Sequence, residues 1–229
     1  MQADAPPAQD RGSDCRLYLI TPSVFELDGF VPRFEDALAG GPVGCVQLRM
    51  KEADDAAVVA AMAELLPRCR EQGVPLVLND RAHLVDVTDA DGLHVGAEDL
   101  PAVAAREQIG PDRVLGVSCY DSKHAAMEAA ARADADYVAF GAFFPTTTKT
   151  PRARPSISLL EEWGAVTVVP AIAIGGITPG NCGTLAEAGA AFVAVVSAVW
   201  EHPEGPSAAV AAFTRALGTA ANRQAGDQQ

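Results

Sequence analysis

Residues 171–196 read AIAIGGITPGNCGTLAEAGAAFVAVV. The stretch opens on an apolar run, Ala171–Ile174, and closes on another, Phe192–Val196. Between them Asn181–Ala188 has the Ala, Leu and Glu content of a helix, with a start signal at Pro179 and a stop at Gly189. Both runs are apolar throughout instead of alternating, which is the pattern of a sheet covered on both faces. Two strands joined through a helix run parallel.

The same unit recurs toward the N-terminus. Strands are expected at Arg16–Thr21, Cys45–Arg49, Pro75–Asn79, Gly92–Val95, Val114–Ser118 and Tyr137–Phe140. Helices are expected over Asp54–Gln72, closed by Gly73, and over Asp121–Arg132, opened by Asp121. Eight strands alternating with about eight helices predict a single (β/α)₈ TIM barrel. An open, doubly wound sheet is the alternative that strand counting leaves standing. No composition break marks a second domain. The barrel is expected to run from Cys15 to Gly218, between tails at residues 1–14 and 219–229 that read as disordered.

Composition narrows the function. Of 229 residues, 49% are hydrophobic and 21% charged, an ordinary globular balance. No apolar run approaches the roughly 18 residues of a membrane helix, and the N-terminus lacks the basic start and apolar core of a secretory signal. The five cysteines, Cys15, Cys45, Cys69, Cys119 and Cys182, are odd in number and show no CxxC spacing. Neither a disulfide framework nor a zinc site is expected, and a cytoplasmic location is. A net charge of −13 argues against nucleic acid as a partner. Small molecules remain as partners, no membrane is expected, and a homo-oligomer is compatible with the sequence. Any site for anions must be assembled locally, against the overall field.

In a barrel of this kind the working face lies at the C-terminal ends of the strands, and the polar residues fall there. Arg49 and Lys51 flank Met50, so a continued strand would place both cations on one face. They could bind pyrophosphate, Arg by its fork and Lys as a point charge; a solvated strand end would look the same. Asp80 and Asp99 follow neighbouring strands and could share one Mg²⁺, or each could cap a helix. Thr146, Thr147, Thr148 and Lys149 sit in one loop, where hydroxyls and an ammonium suit phosphate or a departing anion. That loop, from Gly141 to about Ser156, is long enough to be expected to close over a filled site. Gly175–Gly176, followed by Val196–Ser197 after the next strand, suit a second phosphate. His94 reads as a packed or hydrogen-bonded histidine, and Cys119, with no base placed to activate it, as a structural thiol.

Seven blocks, QLRMK (Gln47–Lys51), ND (Asn79–Asp80), DGLHVGAED (Asp91–Asp99), GVS (Gly116–Ser118), GAFFPTTTK (Gly141–Lys149), AIGGITP (Ala173–Pro179) and AVVSAVW (Ala194–Trp200), resemble the thiamine-phosphate synthase family and occur in the family's order. The resemblance implies a (β/α)₈ barrel that couples hydroxymethylpyrimidine pyrophosphate to hydroxyethylthiazole phosphate with Mg²⁺, releasing pyrophosphate. It further implies that Gln47, Leu48, Arg49, Met50, Lys51, Asn79, Ser118 and Lys149 hold the pyrimidine substrate and that Asp80 and Asp99 ligate the metal. Thr146, Thr147, Thr148, Gly176, Val196 and Ser197 would hold the thiazole phosphate. Arg49, Lys51 and Lys149 would neutralise the leaving group in a dissociative displacement that needs no protein nucleophile. The sequence departs from the family at Met50, Ala142 and Ala97, where Glu, Pro and Gln are usual. Ala97 bears most on the site, because it removes a polar side chain beside Asp99. Two other readings follow from the same blocks: a thiazole tautomerase-like enzyme, which would not need the cations and carboxylates present here, and a non-catalytic binder of phosphorylated thiamine precursors.

Overall fold

Eight short apolar segments, each buried on two faces, leave one economical arrangement, in which the sheet closes on itself. A computed structural model, describing residues 15–146 and 152–227, has this form. The strands are β1 (Arg16–Ile20), β2 (Val43–Leu48), β3 (Leu76–Asn79), β4 (Gly92–Val95), β5 (Val114–Tyr120), β6 (Tyr137–Gly141), β7 (Ala171–Ile174) and β8 (Phe192–Val195). Every neighbouring pair is parallel, and β1 pairs with β8 in the register Leu17 with Val193 and Tyr18 with Ala194. That last pairing excludes the open sheet. The strand bounds fall within two residues of those read from the sequence.

Around the strands lie α1 (Leu27–Ala39), α2 (Asp55–Glu71), a 3₁₀ turn (Ala82–Leu84) running into α3 (Val85–Thr88), α4 (Ala102–Ile109), α5 (Lys123–Ala133), α6 (Ser158–Val166), α7 (Cys182–Glu187), α8 (Ser197–Trp200) and α9 (Pro206–Asp227). Side chains alternate along each strand, so two cores form. Leu17, Leu19, Val46, Leu48, Leu76 and Leu78 point outward into the larger core under the helices. Tyr18, Ile20, Cys45, Val77, Tyr137 and Ile172 point into the barrel and fill it with a smaller one. Burial on both faces is why the strands carry no polar alternation.

Helix starts differ slightly from expectation. α5 is capped by Ser122, whose hydroxyl accepts the Ala125 N–H at 3.1 Å, one residue past Asp121. Ahead of α7, Asn181 Oδ1 accepts the Thr178 N–H at 2.8 Å, so Pro179 sits in a turn just outside the helix.

The C-terminal boundary is corrected. The segment 219–229 was expected to be a disordered tail, but α9 continues to Asp227. Val210, Phe213, Leu217 and Ala220 recur at helical spacing and are all buried. Gly218, which looks like a stop, lies on the solvent side of this stripe, where a glycine weakens a helix by about 1 kcal/mol without ending it. Arg223 then pairs with Glu187 of α7 at 2.9 Å. Deleting residues 219–229 should therefore lower Tm by about 2–4 °C, the shift that about 1 kcal/mol produces in a chain of this size. A Tm unchanged by the deletion would return the domain boundary to Gly218.

Candidate active site

Because inward-facing positions recur every second residue, the C-terminal ends of the strands converge on one cavity of about 240 Å³. Among the described residues its walls carry Gln47, Arg49 and Lys51 from the β2 end, Asn79 and Asp80 from β3, and His94, Glu98 and Asp99 from β4 and its loop. Ser118, Thr146, Gly176, Val196 and Ser197 complete it from the other strands. These candidate residues therefore share one site.

The β2 and β3 rims meet through charge. The Arg49 N–H is held by the buried Thr21 hydroxyl at 2.9 Å, which fixes where β2 ends. Lys51 Nζ lies 3.0 Å from Asp80 Oδ2. Asp80 occupies the left-handed region (φ 65°), a conformation Asp and Asn tolerate better than most residues. Neither carboxylate caps a helix. The 3₁₀ turn after β3 has no side-chain cap, and neither does α4, which begins behind Pro101. Instead Asp99 Oδ2 accepts the Gly96 N–H at 2.8 Å, and a Cβ at position 96 would meet that same oxygen at 2.8 Å. Asp80 and Asp99 hydrogen-bond to each other. Burial and the proton shared with Asp99 push the Asp80 carboxyl up, against the pull of Lys51. Burial also raises Asp99, but the hydrogen bonds from Asp80 and Gly96 outweigh it and leave Asp99 below its usual value.

The floor is a continuous hydrogen-bonded chain across the barrel. Gln47 Nε2 donates to the Tyr18 hydroxyl at 3.0 Å, and the Tyr18 and Tyr137 hydroxyls lie 2.8 Å apart. Tyr137 meets His94 Nδ1 at 3.0 Å, and His94 Nε2 meets Ser118 Oγ at 2.8 Å. Burial pushes His94 down to about 4, so the ring is neutral at neutral pH. Both tyrosine pKa values are driven well up, chiefly by the same burial. The floor is thus polar, fully bonded and uncharged. The sequence reading of His94 as hydrogen-bonded agrees with this placement. Cys119 is buried, with its thiol pushed up to about 12 by burial, as suits a structural cysteine.

On the opposite wall the glycine pair is required by the protein's own packing. A Cβ at Gly175 would meet Ala142 Cβ at 2.3 Å, and one at Gly176 would meet the Pro145 carbonyl at 2.2 Å. Both glycines have positive φ. The Gly175 and Ile174 carbonyls anchor the start of the β6 loop, with Phe144 N–H donating to Gly175 O at 3.0 Å and Phe143 N–H to Ile174 O at 3.1 Å. The start of the loop thus lies against Gly176, and Thr146 lines the same cavity as Gly176, Val196 and Ser197.

Two candidates fall elsewhere. Leu48 is buried in the outer core and Met50 packs against it, because period-two alternation turns both away from the cavity that Gln47, Arg49 and Lys51 face. Thr147, Thr148 and Lys149 lie outside the described residues, and with them the middle of the loop expected to close over the site. Ala97 is exposed and does not line the cavity. The sequence reading missed the tyrosines: the chain has three, Tyr18, Tyr120 and Tyr137, and all line the cavity. A tyrosine inside an otherwise aliphatic strand such as RLYLI was the available signal. Arg152 was also missed as a wall residue; it pairs with Glu98 and lies over the Tyr120 ring at 5.6 Å.

A closed parallel barrel whose strand ends gather cations, paired carboxylates and a glycine pair around one cavity has the architecture of a (β/α)₈ enzyme. The chain belongs to the thiamine monophosphate synthase family, whose model matches residues 17–199. A thiamine-phosphate synthase of Rhodospirillum centenum is 48% identical over 205 residues, spanning 90% of this chain and 99% of that one. Another, of Hyphomonas neptunium, is 43% identical and covers 86% and 91% of the two chains. The thiamine phosphate pyrophosphorylase structure from Pyrococcus furiosus superposes with a TM-score of 0.78 at 30% identity, covering 90% of this chain and 96% of that one.

Two titrations follow from the site. A carboxyl whose pKa is raised on folding contributes stability below its unfolded pKa and loses it as pH rises through the folded one. Ionised Asp80 therefore opposes folding at pH 7 when no cation is bound. Asp80→Asn, neutral and suited to a positive φ, should melt above the wild type in EDTA; melting below it would contradict the shift. His94 behaves oppositely. Its folded pKa of about 4 lies below the usual 6.5, so its contribution is present above 6.5 and lost as pH falls through 4. Tm of the wild type should fall across that window more steeply than Tm of His94→Gln, and parallel profiles would exclude the histidine as the cause.

Proposed function

We propose that this chain is a transferase that joins hydroxymethylpyrimidine pyrophosphate to hydroxyethylthiazole phosphate, giving thiamine monophosphate and pyrophosphate. One observation carries the reading: within one cavity, the Arg49–Lys51–Asp80–Asp99 cluster faces the Gly176–Val196–Ser197 wall. A substrate pair with a pyrophosphate at one end and a monophosphate at the other fits that polarity.

The donor set at the cationic end fits Mg²⁺. That ion usually takes one or two carboxylates and fills its remaining positions with water and phosphate oxygens. No group of three or more His, Cys, Asp or Glu side chains suited to a metal occurs among the described residues. Asp80 and Asp99, close enough to share a proton, would hold the ion in the proton's place. Bound there, Mg²⁺ supplies positive charge to the pyrophosphate oxygens.

The chain's own residues do the rest. Arg49 and Lys51 bind the pyrophosphate and stabilise the charge that collects on it as the methylene C–O bond breaks. Lys149, in the segment that follows β6 in sequence, is assigned the same task. Gln47, Asn79 and Ser118 orient the pyrimidine over the neutral floor. Thr146 to Thr148, Gly176, Val196 and Ser197 fix the thiazole phosphate, so that the ring nitrogen meets the electron-poor methylene carbon and the C–N bond forms. No group on the protein is alkylated, in keeping with the inert Cys119. Catalysis is positioning plus electrostatics.

Both substrates mixed with the protein and Mg²⁺ should yield thiamine monophosphate and pyrophosphate. Asp99→Asn should cut turnover at least roughly a hundredfold, the scale of losing one preorganised electrostatic contact. Binding of both substrates without any product would leave the non-catalytic binder, and full turnover in EDTA would remove the metal.

A further inference from the structure

Lys51 and Asp80 arrive from different loops, and their contact needs those loops held together. The pair itself is a weak tether, because an ion pair with partners 37% and 22% exposed adds little. The stronger connection lies just outside the cavity, at Arg81. The left-handed backbone at Asp80 sends successive side chains in opposite directions. The Asp80 carboxylate turns into the site, whereas the Arg81 side chain does not line it. Arg81 reaches back over the loop after β2 instead. One guanidinium nitrogen, Nη2, donates to the Met50 carbonyl at 3.3 Å and to the Ala53 carbonyl. The other, Nη1, pairs with Asp55 at the first turn of α2. Asp55 is braced in turn by His83, whose Nε2 lies 2.7 Å from its second oxygen.

Two carbonyls and a carboxylate are thus gathered by one planar fork, a geometry that Lys cannot copy. The acceptors bracket residues 50–53, which carry Lys51. We propose that Arg81 is a positioning residue: a clamp that fixes the Lys51 loop against the β3 rim, so that the cationic end of the site is preorganised for pyrophosphate. The inference rests on the function proposed above. Without the clamp, a substrate must pay the ordering entropy of a loop and a long side chain on binding. Among the described residues, the hydrogen bonds and ion pairs of Arg81, Asp55 and His83 reach only the β2 and β3 side of the site, not Gly176, Val196 or Ser197.

The test compares wild type, Arg81→Ala and Arg81→Lys at one fixed Mg²⁺ concentration. It reads KM for each substrate, calorimetric Kd for inorganic pyrophosphate, and Tm. In Arg81→Ala, KM for the pyrimidine pyrophosphate and Kd for pyrophosphate should both rise about tenfold, while KM for the thiazole phosphate stays within about twofold. Arg81→Lys should recover less than half of the loss on a logarithmic scale. A parallel rise in both KM values, or an unchanged Kd in a folded variant, overturns the clamp. If Arg81→Ala does not fold, Asp55→Asn decides: it leaves the two carbonyl bonds but removes the charge partner, and should raise the same Kd about threefold, with no change counting against the proposal. Pyrophosphate binding is read without turnover. A wild type that binds pyrophosphate but makes no product would therefore sink the proposed activity while leaving the clamp measurable.

Discussion

Closure of the sheet is the constraint on which the other features depend. Once β1 pairs with β8, no strand has an edge and each has two dry faces. The outer face can be purely aliphatic because helices cover it. The inner face narrows to a barrel in which every polar atom must find a partner. This one does so: among the described residues no buried side-chain nitrogen or oxygen lacks a hydrogen-bond partner. The Gln47–Tyr18–Tyr137–His94–Ser118 chain is how those five polar groups, drawn from β1, β2, β4, β5 and β6, are satisfied together. The same chain welds opposite sides of the barrel and forms the floor of the site.

Charge is then confined to the rim. Burial holds His94 neutral and keeps both buried tyrosines protonated, so the floor carries no net charge at neutral pH. At the rim Arg49 and Lys51 stand beside Asp80 and Asp99, within a protein of net charge −13. Long-range attraction for anions is unfavourable, and affinity must come from short contacts in a partly enclosed space, where screening by water is weaker. The paired carboxylates add to the local repulsion. That arrangement is poor for the stability of the cation-free protein, and the Mg²⁺ proposed above would offset it.

Much of this was legible in the sequence, for a physical reason. A barrel strand buried on both faces is short, apolar and bounded by turns, so segments such as Gly92–Val95 and Ala171–Ile174 declare their ends almost to the residue. Rim residues were legible because a charged side chain directly after such a run stands out. Two things were not. Facing, which separates Lys51 from Met50, depends on where β2 stops, and that is set by the Thr21 hydroxyl on a different strand. The tyrosines were hidden because an aromatic ring in an apolar run reads as core, and its hydroxyl matters only once His94 and Gln47 are seen beside it. The C-terminal segment failed differently. Ala220 is buried where α9 packs on α7, and beyond Gly218 a single small residue has too little contrast to announce that the packed face continues.

The position that looked most troubling in sequence, Ala97, is also resolved by facing. Asp99 does not depend on a side chain at 97; its orientation comes from the Gly96 main-chain N–H and from Asp80. Those supports come from the main chain and from a neighbouring strand, whereas position 97 faces outward on the surface of the turn. At Gly96 a Cβ would come within 2.8 Å of the Asp99 oxygen that accepts this residue's N–H, so a side chain there would displace the carboxylate. The carboxylate's placement is determined without a side chain at 97. The departure from the family's pattern therefore lies outside the part of the loop that builds the acidic pair.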